Sequence, residues 1–105
     1  MNAEKIFQKY FNGMCNFLTP FPYEYGVKKI GKYTLVYEKS KGRSPWSNWE
    51  LRHAISFLII QGKKMQQIDI GHYTDEGPEE IERYLNNLNE EMVEQADKYG
   101  EIKTL

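Results

Sequence analysis

The chain carries the run LRHAISFLIIQGKK at residues 51–64, and its apolar spacing fits either a helix or a strand. As a helix, residues 50–60 align one apolar set: Leu51, Ala54, Ile55 and Leu58. As a strand, they place alternate side chains on one face: His53, Ile55, Phe57 and Ile59. The β-branched content favours the strand, and Gly62 at the first central position suits a type II′ turn at Gly62-Lys63. The run from Met65 to Tyr73 would then pair back as the next strand.

Two further strands are predicted upstream of this hairpin, within residues 23–39. Tyr33, Leu35 and Tyr37 alternate with other residues at the period of a half-buried strand, and so do Tyr23, Tyr25 and Val27. Gly31-Lys32 lies between the two runs and permits a tight hairpin.

Helical periodicity marks both ends of the chain. Residues 3–18 are predicted as one helix with Asn2 as its cap, ended by the prolines at 20 and 22. Residues 78–99 are predicted as a second, long helix, begun by Pro78 and ended by Gly100. Its apolar stripe consists of Ile81, Leu85, Leu88, Met92, Ala96 and Tyr99. The sequence therefore predicts one α+β domain over residues 1–105: an N-terminal helix, a four-stranded antiparallel sheet and a long C-terminal amphipathic helix.

Composition excludes several classes of protein. The 105 residues include a single cysteine, Cys15, so neither an intrachain disulfide framework nor a multi-cysteine zinc site can form. We expect Cys15 to act as a small buried hydrophobe and the protein to be cytoplasmic. No apolar run approaches the roughly 18 residues that a membrane span needs, and no signal peptide is visible.

The formal net charge of −1 conceals two oppositely charged halves. Residues 1–53 hold nine basic and four acidic residues, whereas residues 54–105 hold five basic and eleven acidic residues. The near-zero total argues against a general nucleic-acid binder. The acidic side chains of the C-terminal helix either meet a basic partner or form a solvated helix face: Glu76, Glu79, Glu80, Glu82, Glu90, Glu91, Glu94 and Asp97.

The candidate binding residues lie in and around the irregular stretch 40–48. They are Lys39, Lys41, Arg43, Ser44, Trp46, Trp49 and Arg52. Basic side chains, hydroxyls and tryptophans suit a phosphate-bearing, nucleotide-like ligand. The same residue types dominate protein–protein hot spots, and tryptophans also close cores under ordinary loops. Gly42 has no second glycine at the spacing of a Walker or dinucleotide motif.

A secondary candidate site is a histidine pair. If Gly62-Lys63 is the two-residue turn, His53 lies directly opposite His72 on the hairpin. Two close imidazoles can bind a metal or exchange protons, although a zinc site normally has three or four protein ligands. The alternative is two partly buried histidines without a shared role.

The chain holds eight tyrosines, five phenylalanines and two tryptophans, more than one core of this size can bury. Exposed aromatic surface is typical of recognition faces. We therefore expect a non-enzymatic binding protein without a cofactor, a monomer or homodimer, whose partner is another protein. Small neutralisers of toxins or host enzymes made by bacteria and phages offer an analogy. The alternative is a binder of a nucleotide-like anion, and a metal-dependent enzyme at His53 and His72 is the third hypothesis.

Overall fold

The structure, a computed structural model, describes residues 2–11, 17, 18, 20–97 and 101–104, with the side chains of 64, 66–71 and 101–104 left undescribed. Its helices are α1 (Ala3–Tyr10), α2 (Pro78–Asn87) and α3 (Glu90–Asp97). Its strands are β1 (Phe21–Ile30), β2 (Tyr33–Gly42), β3 (Arg52–Gln61), β4 (Lys64–Thr74) and β5 (Glu101–Thr104). The α+β class and the four antiparallel strands are as predicted.

The strands form one antiparallel sheet in the order β1-β2-β3-β4-β5. Residues 50–60 thus belong mainly to a strand, and a short fifth strand, which the sequence did not predict, pairs with the first residues of β4. Both predicted hairpin turns are confirmed. Gly31 and Gly62 have φ of 56° and 64°, and no other residue of the two turns has positive φ, as a type II′ turn requires.

Each face of the sheet buries its own apolar cluster. On the face that we call the helix face, α2 and α3 cover a cluster centred on Phe57, with Tyr33 and Leu35 beside it. On the opposite face, α1 packs Phe7 against Val36 and Leu58. Burying a side chain such as Phe57 contributes about 1.5–3 kcal/mol of transfer free energy. The sheet is therefore buried on both faces by separate sets of side chains.

Helix α1 is shorter than the predicted helix 3–18. The Asn2 side chain accepts a hydrogen bond from the backbone N–H of Lys5 at 3.1 Å, so the predicted cap is confirmed. The helix ends at Tyr10, because Phe11 is extended (φ −75°, ψ 125°). Cys15 lies outside the described residues, so its predicted burial stays a prediction. No helix in the described ranges is long and apolar enough to span a membrane.

The predicted long C-terminal helix is divided into two. Leu88 is extended (ψ 137°), and the side chain of Asn89 accepts a 2.9 Å hydrogen bond from the N–H of Met92. Asparagine is a poor residue inside a helix but a good cap, so it starts α3 in a new direction. Because of the break, Met92 of the predicted apolar stripe is exposed, and Val93 is buried instead. Tyr99 and Gly100 lie outside the described residues.

The predicted pairing of His53 with His72 is wrong. The register fits the prediction from the turn as far as Phe57, which lies opposite Ile68. A bulge then sets one residue of β3 opposite three of β4, so that His72 faces Ile55 and His53 faces Thr74. The two histidines are therefore displaced along the hairpin.

Candidate functional site

The segment between β2 and β3, residues 43–51, forms a loop with several internal hydrogen bonds, which we call the tryptophan loop. Pro45–Ser47 make one 3-10 turn, and the N–H of Trp49 donates to the carbonyl of Ser44 at 2.9 Å. The buried Ser47 hydroxyl lies 3.0 Å from the carbonyl oxygens of both Ser44 and Glu50. These contacts satisfy polar backbone groups inside the loop and fix its shape.

Two consecutive residues of this loop have left-handed backbone conformations. Asn48 has φ of 55° and Trp49 has φ of 60°. Asparagine tolerates this region, whereas a bulky side chain there is strained. The Arg43 guanidinium donates a 2.7 Å hydrogen bond to the carbonyl of Trp49 and so helps to hold the strained residue.

Both tryptophans point away from the core. The exposed fraction is 70% for Trp46 and 52% for Trp49, which rules out the interpretation that they close the core. More large apolar side chains are exposed near them at the same end of the sheet: Leu18, Phe21, Tyr23, Leu51 and Tyr73. The backbone N–H of Leu18 donates to the carbonyl of Arg43, and the ring of Phe17 lies 5.7 Å from that of Tyr73. We call this collection the aromatic end.

Lys39 does not belong to this surface, although it was a candidate for holding phosphates. It lies on the helix face, 5% exposed, with its ammonium between the carboxylates of Glu24 and Glu82. Burial alone would lower the pKa of Lys39, but the hydrogen bonds that its ammonium donates to the two carboxylates outweigh burial and raise the pKa to about 12. This lysine ties β1 and β2 to α2, and its charge is neutralised internally.

The other basic candidates lie at the aromatic end, each with a contact inside the chain. The Lys41 ammonium lies over the ring of Phe21, 5.3 Å from its centroid. Arg43 holds Trp49, as described above, and Arg52 forms a 3.0 Å ion pair with Glu50. Ser44 is fully buried, and its hydroxyl lies 3.4 Å from that of Ser47. The predicted set therefore consists of two exposed tryptophans and of polar residues that each have a contact inside the chain.

The two histidines have separate surroundings. The ring of His53 meets Tyr23 edge-on at 6.1 Å, and burial, together with the charge of Lys41, lowers the pKa of this histidine. The ring of His72 stacks on Tyr84 at 4.5 Å, and its Nε2 atom lies 3.5 Å from Glu80. Within the part of the chain that the structure describes, no group of three His, Cys, Asp or Glu side chains is placed to hold a metal ion.

A groove of about 500 Å³ runs beside Trp46, and we call it the Trp46 groove. The tryptophan loop and the start of β3 form one side, and the end of β4 and the start of α2 form the other. Its lining residues are Trp46, Ser47, Arg52, His72, Tyr73, Thr74, Asp75, Glu76 and Glu80. The backbone N–H of Glu76 donates to the Thr74 hydroxyl at 3.1 Å, which fixes the turn leading into α2. The groove thus joins aromatic rings and carboxylates in one concave surface.

The predicted acidic face is divided by the break between α2 and α3. Glu82 is engaged with Lys39, and Glu80 pairs with Arg83 at 2.5 Å. Glu90 and Glu91 occupy the first turn of α3, where the helix dipole favours them. Only Glu76 and Glu80 of this acidic set line the groove.

The sequence does not identify Leu18 and Tyr73 as parts of the aromatic end, or Asp75 as part of the Trp46 groove. Leu18 falls within the predicted first helix. Tyr73 and Asp75 follow the β4 bulge, and no local signal revealed that they come close to Trp46.

No protein-family model matches the chain, and no curated protein or solved structure resembles it significantly.

Proposed function

We propose that this chain is a non-enzymatic cytoplasmic binding protein that engages another protein through its aromatic end. The observation that carries the proposal is the exposure of Trp46 and Trp49 on a loop whose backbone is held by internal hydrogen bonds. The exposed parts of the tryptophans give no burial energy to the fold, and tryptophan is among the residues most enriched in interface hot spots. A loop that is already ordered loses little conformational entropy when it binds.

Strain at Trp49 supports the same proposal. A tryptophan with φ of 60° costs the fold free energy, and the side chain of Trp49 is only about half buried in return. Strained residues that the surrounding structure keeps in place are found mainly at functional sites. A partner that covers this ring would gain the buried area that the isolated chain lacks, and neutralisation of that partner is one role that such an interface can serve.

The alternative, a nucleotide-like anion at the same loop, has less support. Of the three cations expected to hold phosphates, Lys39 is neutralised by two carboxylates and Arg43 is bound to the Trp49 carbonyl. The neighbouring groove carries Asp75, Glu76 and Glu80, which repel an anion. Lys41 beside Phe21 is the basic candidate best placed for such a ligand.

Affinity capture with a matched variant tests the proposal. The wild-type chain and a Trp46→Ala/Trp49→Ala variant would each be immobilised and exposed to extract of the native host, and the proteins retained only by the wild type identified. Binding of the purified partner would then be measured by calorimetry. We expect the double variant to bind more than about ten-fold more weakly, as for hot-spot residues.

The control is Met92→Ala, which removes an exposed apolar side chain from α3, far from the loop in sequence. It should bind the partner as the wild type does. Equal binding by the wild type and the double tryptophan variant would overturn the proposal. Thermal melts of all three proteins would show that the variants are folded.

Two further measurements address the alternative. Native mass spectrometry of gently purified protein would reveal a bound small molecule as a mass excess of a few hundred daltons, and would also give the oligomeric state. Tryptophan fluorescence would be titrated with ATP, with pyrophosphate as the probe for the phosphates alone. We expect no saturating change, and a saturating quench with ATP that Lys41→Met abolishes would establish the nucleotide-like ligand instead.

A further inference from the structure

The Trp46 groove combines two features that favour cations. Aromatic rings line it, namely Trp46, Tyr73 and His72, and the Trp46 ring is mostly accessible. The negative face of an indole attracts a guanidinium or ammonium group, and tryptophan does so best among the aromatic residues. The lining also includes acidic residues from the β4–α2 turn and from α2.

The charge balance inside the groove is negative. Asp75, Glu76 and Glu80 face one basic residue of the lining, Arg52, whose guanidinium already pairs with Glu50. Arg83 on α2 lies 2.5 Å from Glu80 and 3.8 Å from Glu76, so it satisfies the first carboxylate and meets the second only at long range. Asp75 is exposed and has no ion pair with any residue that the structure describes. Asp75 and Glu76 are therefore the two carboxylates best able to meet an incoming positive charge.

We propose that the Trp46 groove receives an arginine side chain of the partner protein, stacked on Trp46 and paired with Asp75 and Glu76. The inference rests on the proposed function and specifies the chemistry of the partner. Arginine fits better than lysine, because its planar guanidinium stacks on an aromatic ring and pairs with carboxylates at the same time. The volume of about 500 Å³ accommodates one long side chain and its backbone.

Short peptides test this without the partner in hand. Acetyl-Gly-Arg-Gly-amide would be titrated into ¹⁵N-labelled full-length protein, and the indole N–H signals of the two tryptophans followed by NMR. Acetyl-Gly-citrulline-Gly-amide, which has nearly the same shape without the charge, is the matched probe. We expect the arginine peptide to shift the Trp46 signal, assigned with the Trp49→Phe variant, and the citrulline peptide to leave it in place.

Charge variants of the protein sharpen the test. Asp75→Asn/Glu76→Gln should weaken binding of the arginine peptide about five-fold, the size expected for two partly exposed ion pairs. Glu91→Gln/Glu94→Gln removes the same charge from the exposed surface of α3 and should leave binding unchanged. Arg83→Gln, which removes the internal competitor, should strengthen binding about two-fold.

The outcomes separate this inference from the proposed function. If the arginine and citrulline peptides act alike, or if the Asp75/Glu76 variant binds as the wild type does, the arginine site is wrong. The tryptophan-dependent capture of a partner would still stand in that case. If the capture does not depend on Trp46 and Trp49, the proposed function is wrong whatever the peptides show.

Discussion

The two ends of the sheet differ in how far their apolar side chains are exposed to solvent. The end with the turns at Gly31 and Gly62, the hairpin end, buries Ile30 and Tyr33 and presents glycine, lysine and glutamine to solvent. The aromatic end exposes two tryptophans and is held by polar contacts instead, through Lys39 and through the hydrogen bonds of the tryptophan loop. Apolar area stabilises a fold only where it is removed from water. The apolar area at the hairpin end therefore stabilises the fold, whereas most of that at the aromatic end stays in water, where the proposed partner would cover it.

The largest expected effect comes from removing one aromatic ring at each end. Tyr33 is 1% exposed and packs in the helix-face cluster, so Tyr33→Ala should lower the free energy of unfolding by about 3–5 kcal/mol. Trp46→Ala should change it by less than about 0.5 kcal/mol, since the Trp46 ring is mostly in solvent. Urea denaturation followed by circular dichroism would measure both. If the two variants lose similar amounts of unfolding free energy, the difference drawn between the two ends is wrong.

The hairpin end was also the easier one to predict. Strand alternation and glycine turns are local properties of the sequence, and they predicted β1 to β4 and both turns. The contacts that shape the aromatic end join residues far apart in the sequence or depend on a β-bulge, so local patterns do not predict them. Lys39 meets Glu82 across 43 positions, and the β4 bulge moves His72 away from His53.

The sequence identifies the candidate residues around the tryptophan loop but not the contacts that they make. Both tryptophans belong to the seven candidates, because aromatic and basic residues close together in a sequence are typical of a binding surface. Strand alternation places Lys39 on the same face as Tyr33 and Leu35, but nothing local shows which carboxylates meet it or that Ser44 in the loop is buried. Burial of a polar group depends on a partner elsewhere in the chain, here Glu24 and Glu82 for Lys39.

The second prediction concerns the ion pairs that hold the aromatic end. Lys39→Met should destabilise the fold by about 2 kcal/mol, because Glu24 and Glu82 lose the cation between them. The pKa of Lys39 is raised to about 12 from 10.5, so its stabilisation is complete below pH 10.5 and is lost as the pH rises through 12. The difference in unfolding free energy between the wild type and Lys39→Met should therefore narrow over that window.

The pH series needs a control, because the pKa of Tyr25 is also raised to about 12 by burial and by its hydrogen bond to Glu38. This residue weakens the wild type and the variant alike at high pH, so it cancels in the difference. Lys29→Met removes an exposed lysine from β1 and should change the stability little at any pH. A constant gap between wild type and Lys39→Met up to pH 12 would disprove the role given to the ion pairs.

A smaller effect is expected inside the tryptophan loop. Ser47→Ala removes the hydroxyl next to the carbonyls of Ser44 and Glu50 and should cost about 1 kcal/mol. The more informative measurement is hydrogen exchange of the Trp49 amide, which donates to Ser44. We expect this amide to exchange faster in the variant while the amides of β2 and β3 keep their protection. Unchanged exchange at Trp49 would mean that the loop does not need this serine to stay ordered.

A small change in stability, and the sharpest contrast with binding, is expected at Trp49. Trp49→Gly relieves the left-handed strain at φ 60° and removes a ring that is 52% exposed, while glycine costs more entropy on folding. These terms nearly cancel, so the free energy of unfolding should rise by at most about 1 kcal/mol. The affinity for the captured partner should fall at least ten-fold, because the variant lacks the indole ring that is proposed to contact the partner. If Trp49→Gly is as stable as the wild type and binds the partner equally well, the left-handed conformation of Trp49 does not contribute to an interface. A strained residue that a fold retains against its own stability needs another reason to be there, and the partner contact that we propose for the aromatic end is such a reason.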